Sequence, residues 1–223
     1  TVTEQPWDVN SDARIDIFDL VIVGGEFGKT PPDDLRADVD ANGTVNLFDL
    51  VSVGSHFGEV YDGAAASAPP AQSHGSSAQV SMSAGQSTRM ARGLKEQIVT
   101  VAISAETVQP LGGFMLDVQY NPYLLAVVDV QEGTPVKRSE GSNFWLKPKF
   151  QPGRVAKIAS VILAEAESMH TGQTLANLTF RLKGSIDDAF ESIQIQNLVL
   201  SDRDAQMISF HLDKHIRYDR QPE

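Results

Sequence analysis

Residues 38–50 read DVDANGTVNLFDL, and residues 8–20 read DVNSDARIDIFDL. The stretches begin thirty residues apart, and each sets acids and amides on alternate positions before an apolar run. Two copies at one period form an internal repeat, which any account of the fold must explain first. Counted from its first aspartate, the second copy has Asp38, Asp40 and Asn42 at positions 1, 3 and 5. Gly43 follows at 6, Thr44 at 7, Asn46 at 9 and Asp49 at 12. Alternate side chains of an extended loop converge on one point, position 7 offers its backbone carbonyl, and position 12 closes the shell from the first helical turn. The first copy supplies Asp8, Asn10, Asp12, Arg14 through its backbone, Asp16 and Asp19, with Ala13 where the second has glycine. All donors are hard oxygens, with no sulfur or histidine among them, a set that favours Ca²⁺ over Mg²⁺ and predicts two bound ions.

The charge distribution agrees. Residues 1–62 hold 13 acids against 3 bases, so nearly all of the chain's net charge of −11 sits in its first quarter. Such a surface repels nucleic acid and anionic membranes and suits cations. After each loop the apolar spacing becomes helical. Leu20, Val23 and Phe27, mirrored by Leu50, Val53 and Phe57, make one stripe, read as a small shared core. A second stripe, Ile17, Val21 and Gly24–Gly25, is mirrored by Leu47, Val51 and Gly54–Ser55. It reads equally as core or as a docking face, and Phe18 and Phe48 lie between the two stripes.

Further on, YDGAAASAPPAQSHGSSAQ (61–79) has the composition of a linker. From about Val80, short β-branched runs such as QIVTVAISA, FMLDVQY, RVAKIASVIL and LANLTFRLKG alternate with turn signals, which predicts an antiparallel β-sandwich. The expected organisation is a helical repeat region over 1–60, a linker over 61–79 and an all-β sandwich over 80–220. There is no cysteine, no apolar run long enough to cross a bilayer, and no basic start with an apolar core at TVTEQPWDVN. A mature secreted fragment has the same look.

The paired loops, each opening a helix and joined by a linker helix at PPDDLRA, resemble the dockerin module, a small all-α pair of EF-hand-like calcium loops. Residues 80 to about 220, with GGFMLDVQYNPYLLAVVDVQEG and GQTLANLTFRLKG, resemble the cohesin module, a jelly-roll sandwich. The resemblance implies extracellular or cell-surface assembly of the cellulosome kind. A dockerin clamps onto a cohesin in a Ca²⁺-dependent manner, and this chain's cohesin end would receive another dockerin. Dockerin recognition residues fall at loop positions 10 and 11, here Ile17–Phe18 and Leu47–Phe48; with Val21 and Val51 they form the expected partner-binding set. Large apolar side chains at those positions depart from the small hydroxyl residues of many clostridial dockerins and suit a hydrophobic interface.

Because a tethered dockerin would swamp external partners if the two ends matched, mismatched ends are expected, with head-to-tail association as the second reading. The near-equivalent stripes are expected to allow either repeat to dock. No H-E-x-x-H, P-loop or G-x-S-x-G motif occurs, and Glu165 with Glu167 reads as a solvated loop, so a non-enzyme is expected. The alternative is a secreted carbohydrate-binding sandwich with Trp145, Tyr120 and Tyr123 as sugar platforms.

Overall fold

The computed structural model describes residues 5–61, 77–91, 93–133, 143–163 and 173–218. Glu165, Glu167 and most of the expected linker lie outside them. Each repeat becomes a loop followed by a short helix, α1 over Ile17–Gly25 and α2 over Leu47–His56. Asp16 and Asn46 cap these helices with side-chain oxygens that accept from Phe18 and Phe48 N–H, while Asp19 and Asp49 reach back to complete a capping box. The expected linker helix is reduced to a 3-10 turn at Leu35–Ala37. Pro31 and Pro32 can donate no helical hydrogen bond, and an exposed Leu35 gives a longer helix nothing to bury.

An approximate two-fold relation holds the repeats together. Ile15 and Val45 both occupy loop position 8, and both are fully buried. Ile15 exchanges backbone hydrogen bonds with Gly58 and Glu59 beyond α2, and Val45 does so with Gly28 and Lys29 beyond α1. Leu20, Val23, Leu50 and Val53 are fully buried and Phe57 nearly so, as the first stripe predicts, while Phe27 is half-buried. The region's ends are clasped as well. Trp7 stacks on His56 at 3.7 Å and donates to the Tyr61 hydroxyl at 2.7 Å.

The rest is a two-layer sandwich. One sheet runs β10-β1-β2-β8-β4 and the other β5-β7-β3-β9, with short β6 (Lys149–Gln151) beside β7. The first contains β1 (Ala78–Ala91), β2 (Leu94–Glu106), β4 (Leu125–Glu132), β8 (Gln173–Leu182) and β10 (Phe210–Tyr218). The second contains β3 (Leu111–Gln119), β5 (Asn143–Leu146), β7 (Arg154–Ile162) and β9 (Gln194–Asp202). A one-and-a-half-turn helix, α3 (Ile186–Glu191), joins β8 to β9. The expectation of a wholly antiparallel sandwich is corrected at one edge, where β1 and β10 pair in parallel. The first and last strands of the sandwich run side by side there. The core holds Val99, Val101, Ile103, Phe114, Leu116, Leu178 and Phe180, drawn from both layers.

Asp117 shapes the second sheet. It sits where the register of β3 slips against both neighbours, and Lys157 on β7 and Asn197 on β9 have positive φ of 59° and 50°. Its carboxylate accepts from Lys157 N–H at 2.7 Å, Asn197 Nδ2 at 2.8 Å and the Arg154 guanidinium. Bulges on both flanking strands are thus stapled by one side chain, and a bulge re-aims the residue it carries. The residue re-aimed on β7 is Lys157.

Candidate metal loops and docking face

The two acidic loops share one pattern of backbone N–H bonds to their side chains. Asp8 accepts from the N–H of Asp12 (3.1 Å) and Ala13 (3.0 Å), as Asp38 does from Asn42 (3.0 Å) and Gly43 (2.7 Å). Asn10 accepts from Asp12 N–H and Asp40 from Asn42 N–H; Asp12 accepts from Arg14 N–H and Asn42 from Thr44 N–H. Asp19 takes the N–H of Asn10 and Asp16, and Asp49 takes those of Asp40 and Asn46. The tight turn requires left-handed backbone at position 6 in both: φ is +67° at Ala13 and +90° at Gly43.

These bonds turn carboxylates inward. Asp19 and Asp49 are fully buried. Oxygens of Asp38, Asp40 and Asp49 come within 4.8 Å of one another. In the first loop burial pushes Asp16 up to about 6 and Asp19 up to about 7, with neighbouring aspartates adding to the rise, and burial likewise raises Asp8. Crowded, desolvated anions of this kind are costly without a compensating cation, and an oxygen-only cluster fits a hard one.

The second stripe divides. In α1, Ile17, Phe18, Val21 and Gly24 are buried, with Phe18 only 3% exposed. In α2 the matching Leu47, Phe48 and Val51 are 55%, 70% and 49% exposed. The sandwich makes the difference, because α1 lies on β3, β7 and β9. Its side chains form one cluster with Leu146, Ala159, Val161 and Leu163, against which Met115, Phe144 and Val199 also pack.

Small residues allow the approach from both sides. A methyl group built on Gly24 would lie 2.6 Å from Val161 Cγ1, and one on Gly113 would lie 2.8 Å from Val21 Cγ2. Lys157 completes the contact, its ammonium donating to the carbonyl of Phe57 just beyond α2, where a helix end favours a cation. Between the first loop and the β9–β10 turn a cavity of about 690 Å³ remains, lined by Phe18, Val21, Arg36, Arg203 and Asp204.

The expectation that the repeats would stay off their own sandwich is therefore corrected, and the two stripes are not equivalent in the folded chain. The sandwich half of the contact was missed in the sequence, though a signal existed. A strand with one solvated face alternates, but β7 is buried at seven of its nine positions, all but a half-buried Lys157 and an exposed Arg154, and β3 is just as continuous. Near-continuous apolar strands mark a sheet covered on both faces. The sugar platforms proposed as an alternative are largely used up. Tyr120 is buried edge-on to Phe180 at 5.2 Å, and Trp145 packs on the core beside Phe114, which leaves Tyr123 exposed.

The sandwich is thus two-layered, and a helix of the same chain covers the outer face of one sheet. Residues 91–210 match the family model of the cohesin domain, more than half of the chain, and the chain belongs to that family of non-catalytic interaction modules. Among solved structures it is similar to a type II cohesin from Bacteroides cellulosolvens, at 15% identity and TM-score 0.46 over 65% of this chain and 100% of that one. It is also similar to a non-cellulosomal cohesin from the archaeon Archaeoglobus fulgidus, at 15% identity and TM-score 0.41 over 63% and 88%. A type I cohesin–dockerin complex from Clostridium thermocellum matches at 14% identity and TM-score 0.43 over 67% and 99%. No curated protein matches the chain. Among the described residues no helix is long and apolar enough to cross a membrane.

Proposed function

We propose that this chain is a non-catalytic extracellular or cell-surface adaptor with two protein-binding ends. The N-terminal repeats act as a dockerin held in shape by two Ca²⁺ ions, and the sandwich receives a dockerin helix. The observation that carries the reading is the seating of α1, which opens directly from the first acidic loop, on the outer sheet of a cohesin-family sandwich. Asp8, Asn10, Asp12, Asp16 and Asp19 with the Arg14 carbonyl would hold one ion. Asp38, Asp40, Asn42, Asn46 and Asp49 with the Thr44 carbonyl would hold the other. The ions would neutralise the buried carboxylates and so fix the angle at which each helix leaves its loop. Ile17, Phe18 and Val21, and their counterparts Leu47, Phe48 and Val51, supply the apolar contact. Calorimetric titration of the whole chain with Ca²⁺ tests the metal half. Two sites are expected, Asp49→Ala should remove one and Asp19→Ala the other, and a chain that takes up no Ca²⁺ would refute it.

A further inference from the structure

Two repeats with the same pattern meet opposite fates, and that contrast has a consequence for how the sandwich is used. The α1 stripe is buried while the α2 stripe stays open to solvent. The contact is fitted on both sides: Gly24 lies over Val161 and Leu163, and Gly113 lies under Val21 and Ile17. It is also latched, since the bulge stapled by Asp117 points Lys157 at the carbonyl of Phe57. Only residues 62–76 separate the two parts in sequence. A tether so short holds the effective concentration of α1 at its own sandwich near the millimolar range.

We propose that the outer face of β5-β7-β3-β9 is an interaction surface whose resident occupant is this chain's own first repeat, so that the molecule is self-capped. An external helix of the same apolar chemistry gains the face only by displacing α1. This deepens the reading of the sandwich as a dockerin receiver and rests on it. If the untethered contact is micromolar, the tether weakens outside binding about a thousandfold.

The test inserts a protease site into residues 62–76 of the full chain, with an affinity tag on the repeat side. After cleavage in Ca²⁺ the two halves should co-elute one to one. Gly24→Leu should separate them, because it blocks the approach to Val161 while favouring helix, so the repeat region keeps its far-ultraviolet dichroism. Lys157→Ala, which leaves the repeat sequence intact, should loosen the halves too.

The cleaved, tagged protein is then mixed in excess with intact chain. Capture should retain intact Gly24→Leu, whose face is vacated, and exclude intact wild type. Halves that separate in the wild type, equal capture of both intact chains, or an intact-chain mass that doubles with concentration would each overturn self-capping. Halves that hold equally well in chelator would remove the calcium requirement and leave self-capping supported.

Discussion

Phe18 and Phe48 occupy position 11 of their loops and stand one residue into α1 and α2. In a free repeat region their truncation to alanine should cost nearly the same. In this structure Phe18 is 3% exposed and Phe48 is 70% exposed. For a phenylalanine of about 200 Å² that difference is about 130 Å² of apolar area, worth about 3 kcal/mol at 25 cal/mol per Å². The cavity left behind adds to the loss, since Phe→Ala in packed sites costs about 3–5 kcal/mol. Phe48→Ala, by contrast, should change stability by no more than about 0.5 kcal/mol, as for other exposed positions. The assay is urea unfolding of each full-length variant in Ca²⁺, followed by far-ultraviolet dichroism. Phe18→Ala should shift the unfolding of the repeat region strongly toward lower urea, while Phe48→Ala should follow wild type. Equal losses would mean that the repeats do not rest on the sandwich in solution, and the argument from burial would fail.

Chelation should melt α1 and α2 and leave the sandwich folded, because each ion adds about 4 kcal/mol when free Ca²⁺ is about a thousand times its dissociation constant; unchanged helicity in chelator would refute this. Ala13→Gly relieves about 1–2 kcal/mol of left-handed strain and returns about 0.4–1 kcal/mol of unfolded-chain entropy, so it should stabilise by up to about 1.6 kcal/mol. Gly43→Ala should do the opposite, and chemical denaturation of the pair in Ca²⁺ decides, with matching signs counting against the strain. Burial pushes the Asp117 carboxyl up, but Arg154, the Lys157 N–H and Asn197 outweigh it and hold it below its ordinary value of 3.8. Its stabilisation is therefore complete above about pH 5 and lost as the pH falls through the depressed folded value. The stability gap between wild type and Asp117→Asn should be widest near neutrality and close in acid; a pH-independent gap would sink the assignment.

The repeat, its loop geometry and its small core were all legible in the chain. The spacing of acids and amides, the capping residues and the helical periodicity act over a dozen residues, and the loops' hydrogen bonds close within nine positions of sequence. The left-handed turn at Ala13 is also local, at the position that Gly43 fills in the second copy. Most strands of the sandwich were legible for the same reason, their β-branched runs standing between turn signals. β1 was not, because AQVSMSAGQSTRMA is polar and small, and it becomes a strand through pairing with β2 and β10.

What the chain could not display was the choice between two nearly identical stripes. Ile17, Phe18 and Val21 differ little from Leu47, Phe48 and Val51, and periodicity assigns both to the same role. Burial of one and exposure of the other depend on contacts reaching from residue 24 to 161 and from residue 57 to 157. Those contacts in turn need a bulge that Asp117 fixes across three strands. Local preference made the repeats alike, and one sheet face with room for one helix made them different.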